Sequence, residues 1–148
     1  FPECEILMGT ATAGIPHAAY ISEYLGLPMG YVRSGNKDHG RQNKIEGHYE
    51  KGNKVVVVED LISTGKSSIE VVNSLIEAGV EVIGCVSIFS YGFDEAKSAF
   101  DAVNVPYYSL ANFNNLVKVA AEENYISEAD INKVLKFQKN PSDPSWME

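Results

Sequence analysis

The sequence predicts an α/β fold with a mainly parallel central sheet and helices on both of its faces. Short apolar runs of strand length alternate along the chain with stretches whose apolar residues recur at helical spacing. Val55–Val58 is a run of four β-branched residues. Such a run is apolar on both faces of a strand, which is typical of the interior of a parallel sheet. We expect about five strands, with Val55–Val58 in the middle.

The N-terminal part begins with a predicted buried strand, Cys4–Met8, which is apolar and ends at Gly9. A helix is predicted over Gly14–Leu25, where Gly26 ends it. Its expected buried face consists of the apolar residues at helical spacing: Ile15, Ala18, Ala19 and Leu25. Pro28–Val32 is the second predicted strand.

The middle of the chain is predicted to hold a short strand over Ile45–Tyr49 and then the Val55–Val58 strand. A helix is expected over Ser67–Ala78, with Gly79 as its C-terminal stop. Its apolar face is formed by residues at helical spacing: Ile69, Val72, Leu75 and Ile76. Glu81–Phe89 is the next predicted strand.

The C-terminal part continues the alternation with three predicted elements: a helix over Asp94–Val103, a strand over Tyr107–Leu110 and a helix over Asn112–Glu122. Ser127, with Asp130 three residues later, forms a capping pair for a last helix that ends near Lys139. These elements predict one core domain over residues 1–139, followed by a loose tail over residues 140–148 that contains two prolines.

Composition narrows the function classes. The formal net charge is −8 over 148 residues, which argues against a nucleic-acid partner, since such proteins carry a basic excess. No apolar run approaches the ~20 residues of a membrane span, and no secretory leader is recognisable, so we expect a cytoplasmic protein. The chain opens on Phe1-Pro2 without a methionine, and we expect that further residues precede it.

The most informative segment is Val55–Ser68, VVVVEDLISTGKSS. A buried strand ends in two carboxylates, Glu59 and Asp60, and a turn rich in hydroxyls and glycine leads into a helix. Ligands of open α/β sheets bind beyond the carboxyl ends of the strands, and helix N-termini bind anions. Thr64–Ser68 is therefore predicted to hold a phosphate, with the carboxylates placed to accept hydrogen bonds from a diol. A ligand with both groups is a ribose 5-phosphate.

Two alternatives exist for this segment. Gly65-Lys66-Ser67 also ends a nucleotide-triphosphate P-loop, but that motif needs glycine where this chain has Asp60. Glu59 and Asp60 would moreover repel a polyphosphate. The second alternative is a plain strand-turn-helix junction whose hydroxyls only cap the helix.

Residues 59–67, EDLISTGKS, resemble the phosphoribosyl-diphosphate motif of type I phosphoribosyltransferases. Two further segments resemble the orotate branch of that family: Gly9–His17 is similar to its diphosphate-side loop, and Tyr31–Gly40 to its mobile catalytic loop. The likeness extends to Asn124–Ser127 and covers nearly the whole chain after the family's N-terminal hood, which is largely missing here. The resemblance implies the type I phosphoribosyltransferase fold.

The segment of residues 33–44 supports this interpretation by its charge. It contains no apolar residue and carries four of the twelve Lys and Arg residues of an acidic chain: Arg33, Lys37, Arg41 and Lys44. A polar loop with local positive charge is suited to transient binding of an anion. The alternative is a solvated loop without a role. We expect residues 34–43 to be mobile without a ligand, because nothing apolar anchors them.

The resemblance implies an enzyme that transfers ribose 5-phosphate from 5-phosphoribosyl 1-diphosphate to orotate in pyrimidine biosynthesis. It also implies Mg²⁺ held mainly through the substrate, and a homodimer whose catalytic loop is shared between subunits. The implied catalytic residues are Arg33, Lys37, His39 and Asp60. The implied ligands of phosphoribosyl diphosphate are Arg33, Lys37, His39, Glu59, Asp60, Leu61, Ile62, Ser63, Thr64, Gly65, Lys66 and Ser67. Ser63 is the implied orotate ligand.

This chain departs from some relatives, which carry lysines at the positions of Ala13 and Ser34 and an orotate-binding arginine near Ser90–Gly92. No arginine lies there in this sequence, so the base preference rests on the catalytic-loop signature. Two alternative functions remain: transfer to another base, and a non-enzymatic regulator of the same fold that senses phosphoribosyl diphosphate. The acidic charge and the intact set of Arg33, Lys37 and His39 argue against the regulator.

Overall fold

The computed structural model describes residues 1–33 and 44–147. The elements in those ranges are, in order, β1 (Ile6–Thr10), α1 (Gly14–Leu25), β2 (Met29–Val32), β3 (Ile45–Glu46), β4 (Lys54–Ile62), α2 (Lys66–Glu77), β5 (Glu81–Ser90), α3 (Asp94–Ala102), β6 (Tyr107–Asn112), α4 (Phe113–Glu122), α5 (Glu128–Lys139) and a 3₁₀ helix (Pro144–Met147). Within them, no helix is both long and apolar enough to cross a membrane.

The described strands form one six-stranded sheet in the order β3-β2-β1-β4-β5-β6. All neighbours are parallel except β2 and β3, which are antiparallel. Val55–Val58 lies in β4, between β1 and β5, so its predicted interior position is confirmed. The sheet has one strand more than the expected five. The predicted strand over Ile45–Tyr49 is shortened to two residues, because Gly47 takes a positive φ of 120° and ends the pairing.

Two apolar cores lie on opposite faces of the sheet, as the alternation of side chains in β4 requires. Val55 and Val57 belong to the core shared with α2 and α3, whereas Val56 and Val58 belong to the core shared with α1. Because β4 is covered on both faces, all four valines are at most 3% exposed. The predicted arrangement of helices on both faces is confirmed.

The buried face of α1 differs from the one predicted. Ala18 is fully buried as expected, but Ala19 is exposed and Leu25 is 55% exposed. The reason is a close approach at Gly14, where an added Cβ atom would lie 2.3 Å from the carbonyl oxygen of Val58. Gly14 and Ala18 therefore face the sheet, and the apolar residues on the other side of α1 point outward.

The ends of the C-terminal helices follow local chemistry. Asn112 caps α4 by accepting a hydrogen bond from the backbone N–H of Asn115 at 2.9 Å. The predicted Ser127–Asp130 capping box is present at the start of α5. Beyond α5, the Trp146 ring packs edge-on against Phe137, with 5.4 Å between the ring centroids. The division into a core domain and a tail remains a prediction.

The strand order creates a switch point at the centre of the sheet. From β1 the chain proceeds to β2 and β3 on one side, and from β4 it proceeds to β5 and β6 on the other. The connections that follow β1 and β4 therefore diverge beyond the C-terminal ends of these two neighbouring strands. In open α/β sheets, this switch point is where ligands bind.

Candidate active site

The candidate site lies at the switch point between β1 and β4. The parallel register pairs Gly9 with Val58, so Thr10 at the end of β1 is level with Glu59 on β4. The predicted phosphate loop, residues 64–68, leaves β4 at the same edge of the sheet. The structure thus brings the two acidic residues, the phosphate loop and the segment after β1 to one place.

Glu59 is a buried carboxylate with both oxygens hydrogen-bonded. It is 6% exposed. Its Oε1 accepts from the Thr10 hydroxyl at 2.5 Å and from the Asp60 backbone N–H at 3.1 Å, and its Oε2 accepts from the Ser68 hydroxyl at 3.1 Å. Burial raises the pKa of Glu59, and the neighbouring Asp60 carboxyl raises it further, while the hydroxyl and N–H donors oppose the shift. Glu59 faces protein groups here.

Asp60 is the more accessible of the two acidic residues. It is half-buried, and the next side chain, Leu61, is 41% exposed. Ser63, the residue implied for orotate, is half-buried, and Ile62 is 1% exposed and packs into the core. The Ile62 side chain is thus a structural anchor, because it is covered on all sides. Of the two carboxylates, Asp60 is therefore the one that is accessible from outside the protein.

The phosphate loop is shaped by Gly65, which precedes α2. Its φ of +78° is unfavourable for any residue with a side chain, and an added Cβ would lie 3.3 Å from the Ala96 Cα. As far as the structure describes the chain, no side chain caps α2 and no acidic residue lies in its first turn. The exposed side chains of Thr64, Lys66 and Ser67 surround this N-terminus. The arrangement suits an anion.

Ser68 belongs to the phosphate loop predicted from the sequence, but its side chain has another contact. Its hydroxyl is buried and donates to Glu59. The cause is helical geometry: Ser68 lies on the inward face of α2, with Val71, Val72 and Leu75. The Ser68 hydroxyl is therefore a partner of Glu59.

The segment between β1 and α1 is held tightly against β4. Gly14 packs closely against Thr10 as well as against Val58. A Cβ atom added at Gly14 would lie 2.4 Å from the Thr10 Oγ1, so no side chain fits there. Ala11 donates its backbone N–H to the Val32 carbonyl at 3.0 Å. The segment similar to a diphosphate-side loop is thus fixed by backbone packing at both ends.

Of the four basic residues of the 33–44 segment, the structure describes Arg33 and Lys44. Lys37 and His39 lie outside the described residues, as does the segment predicted to be mobile. The Arg33 N–H donates to the Lys44 carbonyl at 2.8 Å, which joins the two ends of that segment. The Arg33 guanidinium pairs with Glu46. Both side chains are substantially exposed, and such pairs contribute only about 0–1 kcal/mol, so Arg33 is free to exchange partners.

An aromatic group lies where some relatives carry the orotate-binding arginine. Tyr91 follows β5 and stacks on Phe93 with 5.2 Å between ring centroids, and its ring is 5.8 Å from that of Phe113. The Tyr91 carbonyl accepts a hydrogen bond from the Gln138 side chain at 2.8 Å. Residues of α4 and α5 thus fix the chain beyond β5.

Comparison with known proteins agrees with this geometry. A family model described as a phosphoribosyl transferase domain matches residues 4–124. The chain belongs to the phosphoribosyltransferase family. The predicted fold class is confirmed by this match and by the solved structures it resembles.

Within that family, the chain is similar to several orotate phosphoribosyltransferases. One from Staphylococcus haemolyticus (strain JCSC1435) is 57% identical over 140 residues, which cover 95% of this chain and 69% of the relative. The solved orotate phosphoribosyltransferase from Aeropyrum pernix is 29% identical, with a TM-score of 0.72 over 84% of this chain and 67% of that one. Another, from Mycobacterium tuberculosis H37Rv in complex with 5-phospho-alpha-D-ribosyl 1-diphosphate, is 26% identical, with a TM-score of 0.64 over 76% of this chain and 65% of that one. The predicted placement in the orotate branch is confirmed.

Proposed function

We propose that this chain forms the catalytic core that transfers ribose 5-phosphate from 5-phosphoribosyl 1-diphosphate to orotate, giving orotidine 5′-monophosphate and diphosphate in pyrimidine biosynthesis. The observation that carries the proposal is the switch point between β1 and β4, where β4, with the half-buried Asp60 near its C-terminal end, leads through Gly65 into the N-terminus of α2. A single ligand that reaches both needs a diol at one end and a phosphate at the other. Phosphoribosyl diphosphate has both, and it is bound in the Mycobacterium tuberculosis relative.

We assign a role to each described residue according to its position. The α2 N-terminus, with Thr64–Ser67 around it, holds the 5′-phosphate through backbone N–H groups and hydroxyls. Asp60 accepts hydrogen bonds from the ribose hydroxyls. Ser63, at the bend between these two positions, contacts the base. Glu59 lies behind Asp60, toward the interior.

Arg33, Lys37 and His39 are proposed to bind the diphosphate. The reaction forms a bond between C1 of the ribose and a base nitrogen, while the bond from C1 to the diphosphate oxygen breaks and its electron pair leaves with the diphosphate. The transition state resembles an oxocarbenium ion, so no covalent nucleophile is needed. The work of the protein is to position the reactants and to neutralise the leaving group.

Mg²⁺ is proposed as the cofactor, held chiefly by the substrate. This ion keeps several waters and binds through one or two carboxylates together with substrate phosphates. Asp60 fits that requirement, because it is a half-buried oxygen donor at the switch point. When bound, Mg²⁺ supplies charge neutralisation on the diphosphate. We further propose that the enzyme is a cytoplasmic homodimer and that its basic loop acts in the site of the partner subunit.

Turnover by the full-length protein tests the proposal. Purified protein is incubated with phosphoribosyl diphosphate, Mg²⁺ and one base at a time: orotate, uracil, adenine or hypoxanthine. We expect orotate to be consumed and orotidine 5′-monophosphate to form, with the other bases far slower. Faster use of another base would assign a different transferase, and phosphoribosyl diphosphate binding without turnover of any base would point to a regulator.

A further inference from the structure

Glu59 joins the two segments that flank the switch point. The Thr10 hydroxyl, at the end of β1, donates to one carboxylate oxygen at 2.5 Å, and the Ser68 hydroxyl, in the first turn of α2, donates to the other at 3.1 Å. All three residues are at most 6% exposed. One carboxylate therefore connects the start of the β1–α1 segment to the start of the phosphate-binding helix.

A carboxylate in this position is costly for the fold. The preceding residues of β4 that face the same core are Val55 and Val57, and an apolar residue at position 59 would continue that pattern. Burying a carboxylate costs free energy that hydrogen bonds must offset. Hydrophobic packing alone does not explain why an acid stands at the point where two ligand-facing segments meet.

We propose that Glu59 is a positioning residue that couples the β1–α1 segment to the N-terminus of α2, so that the two anion-facing parts of the candidate site are held in register. The inference rests on the proposed function, since it concerns the same site. It assigns Glu59 a task in addition to the contact with phosphoribosyl diphosphate that the family resemblance implies. A misplacement of about 1 Å at such a site can lower activity by about 10²-fold, so a rigid link between the segments has a clear use.

Coupling predicts that a change at Thr10 weakens binding at α2, although the Thr10 hydroxyl donates to Glu59 and Val58 of β4 and not to α2. The probe is ribose 5-phosphate, titrated calorimetrically into the full-length protein. Thr10→Val keeps the shape of the side chain and removes the hydroxyl. We expect it to raise the Kd for ribose 5-phosphate at least fivefold. Glu59→Ala should raise the Kd at least as much, and the double variant should bind no more than twofold more weakly than Glu59→Ala alone.

A conservative variant separates positioning from direct contact. The side-chain amide introduced by Glu59→Gln accepts from one hydroxyl and donates to the other, so it preserves the bridge without the charge. We expect Glu59→Gln to recover at least threefold in Kd over Glu59→Ala. Asp60→Asn, the same chemical change at the accessible acid, should raise the KM for phosphoribosyl diphosphate more than Glu59→Gln does. Ser74→Ala is the matched control on the outer side of α2, where this hydroxyl bonds only the Glu70 carbonyl.

Several outcomes would overturn the inference. The first is a Kd of Thr10→Val for ribose 5-phosphate within twofold of wild type, and the second is a double variant in which the separate effects of Thr10→Val and Glu59→Ala on Kd multiply. The third is a Glu59→Gln variant that binds ribose 5-phosphate as weakly as Glu59→Ala does. The fourth is a wild-type protein that does not bind ribose 5-phosphate. If Glu59→Ala does not fold, Ser68→Ala takes its place in the double variant. Binding of ribose 5-phosphate without conversion of orotate would remove the proposed function and leave the coupling intact.

Discussion

The Thr10 hydroxyl on β1 donates a hydrogen bond to the Glu59 carboxylate on β4 at the switch point of the sheet, with an oxygen–oxygen distance of 2.5 Å. The two residues are 49 positions apart in the sequence. The parallel pairing of Gly9 with Val58 brings them level. This contact links the C-terminal end of β1 to β4 at the switch point of the sheet.

The stability of the protein should depend on pH through Glu59. Its folded pKa lies above its ordinary value of 4.5 because burial disfavours the charged form. Between these two values the folded state holds more protons than the unfolded state, so the free energy of unfolding falls as pH rises and then levels off. The titratable neighbour that raises the pKa of Glu59 is Asp60 on β4, and the Glu59 carboxylate in turn helps to raise the pKa of the buried Cys85 on β5.

Thermal unfolding of wild type and Glu59→Gln across pH 3 to 8 measures this effect as the difference in Tm between the two proteins. We expect wild type to lose stability relative to Glu59→Gln as pH rises above about 4.5. Glu5→Gln is the control of opposite sign, because hydrogen bonds from the Lys54 N–H and Asn53 lower the pKa of Glu5. Wild type should lose stability relative to that variant as pH falls below about 4.5. A pH-independent difference for Glu59→Gln would contradict the account.

Gly65→Ala should lower both stability and substrate affinity. Alanine at a φ of +78° costs about 1–2 kcal/mol, and its Cβ would press on Ala96. Displacement of the α2 N-terminus should then raise the KM for phosphoribosyl diphosphate roughly tenfold. Gly52→Ala is the matched control, since Gly52 has a φ of +87° and open space around it. Equal effects of both variants on KM would show that only general strain is involved.

Lys37→Ala should affect catalysis far more than stability. Lys37 lies in a polar segment with no apolar neighbours in sequence, so we expect a change in folding free energy of no more than about 0.5 kcal/mol. Loss of one contact to charge that develops on the departing diphosphate typically lowers kcat about 10²–10³-fold. Steady-state kinetics and thermal unfolding measure the two effects. Lys118→Ala is the control, because Lys118 is an exposed lysine on α4. A Lys37→Ala variant with a raised KM but an unchanged kcat would contradict the proposed role.

A mixed dimer tests whether the basic loop is shared between subunits. One full-length subunit carries Lys37→Ala and the other carries Asp60→Asn. If the loop acts in the partner's site, both lesions fall in one site of the heterodimer and leave the other intact. Activity should then recover to as much as half of wild type. Absence of recovery in a confirmed heterodimer would show that each loop closes over its own subunit.

Features whose residues are contiguous could be predicted from the sequence. Val55–Val58 predicted the interior strand correctly, because four β-branched residues suit a strand covered on both faces. Asp60 with Gly65 predicts a diol and phosphate site because strand, turn and helix follow one another, and that site remains a prediction. The contact of Thr10 with Glu59 could not be predicted, because it depends on the register between β1 and β4.

The face of α1 was predicted wrongly for a related reason. Apolar spacing favoured Leu25 as a buried residue, but the close approach of Gly14 to Val58 decides which side of the helix meets the sheet. The inward direction of Ser68 likewise follows from where α2 packs. Contacts between elements, rather than patterns within them, account for these differences.

The location of the phosphoribosyl site is the central claim, and backbone amide chemical shifts test it most directly. Phosphoribosyl diphosphate is titrated into ¹⁵N-labelled full-length protein, with the amides assigned. The account predicts the largest shift changes at Asp60 and Thr64–Ser67, and little change at Glu5 and Asn53, which lie at the opposite edge of the sheet. Saturable binding that leaves residues 60–67 unshifted, or that shifts the Asn53 edge most, would contradict the account.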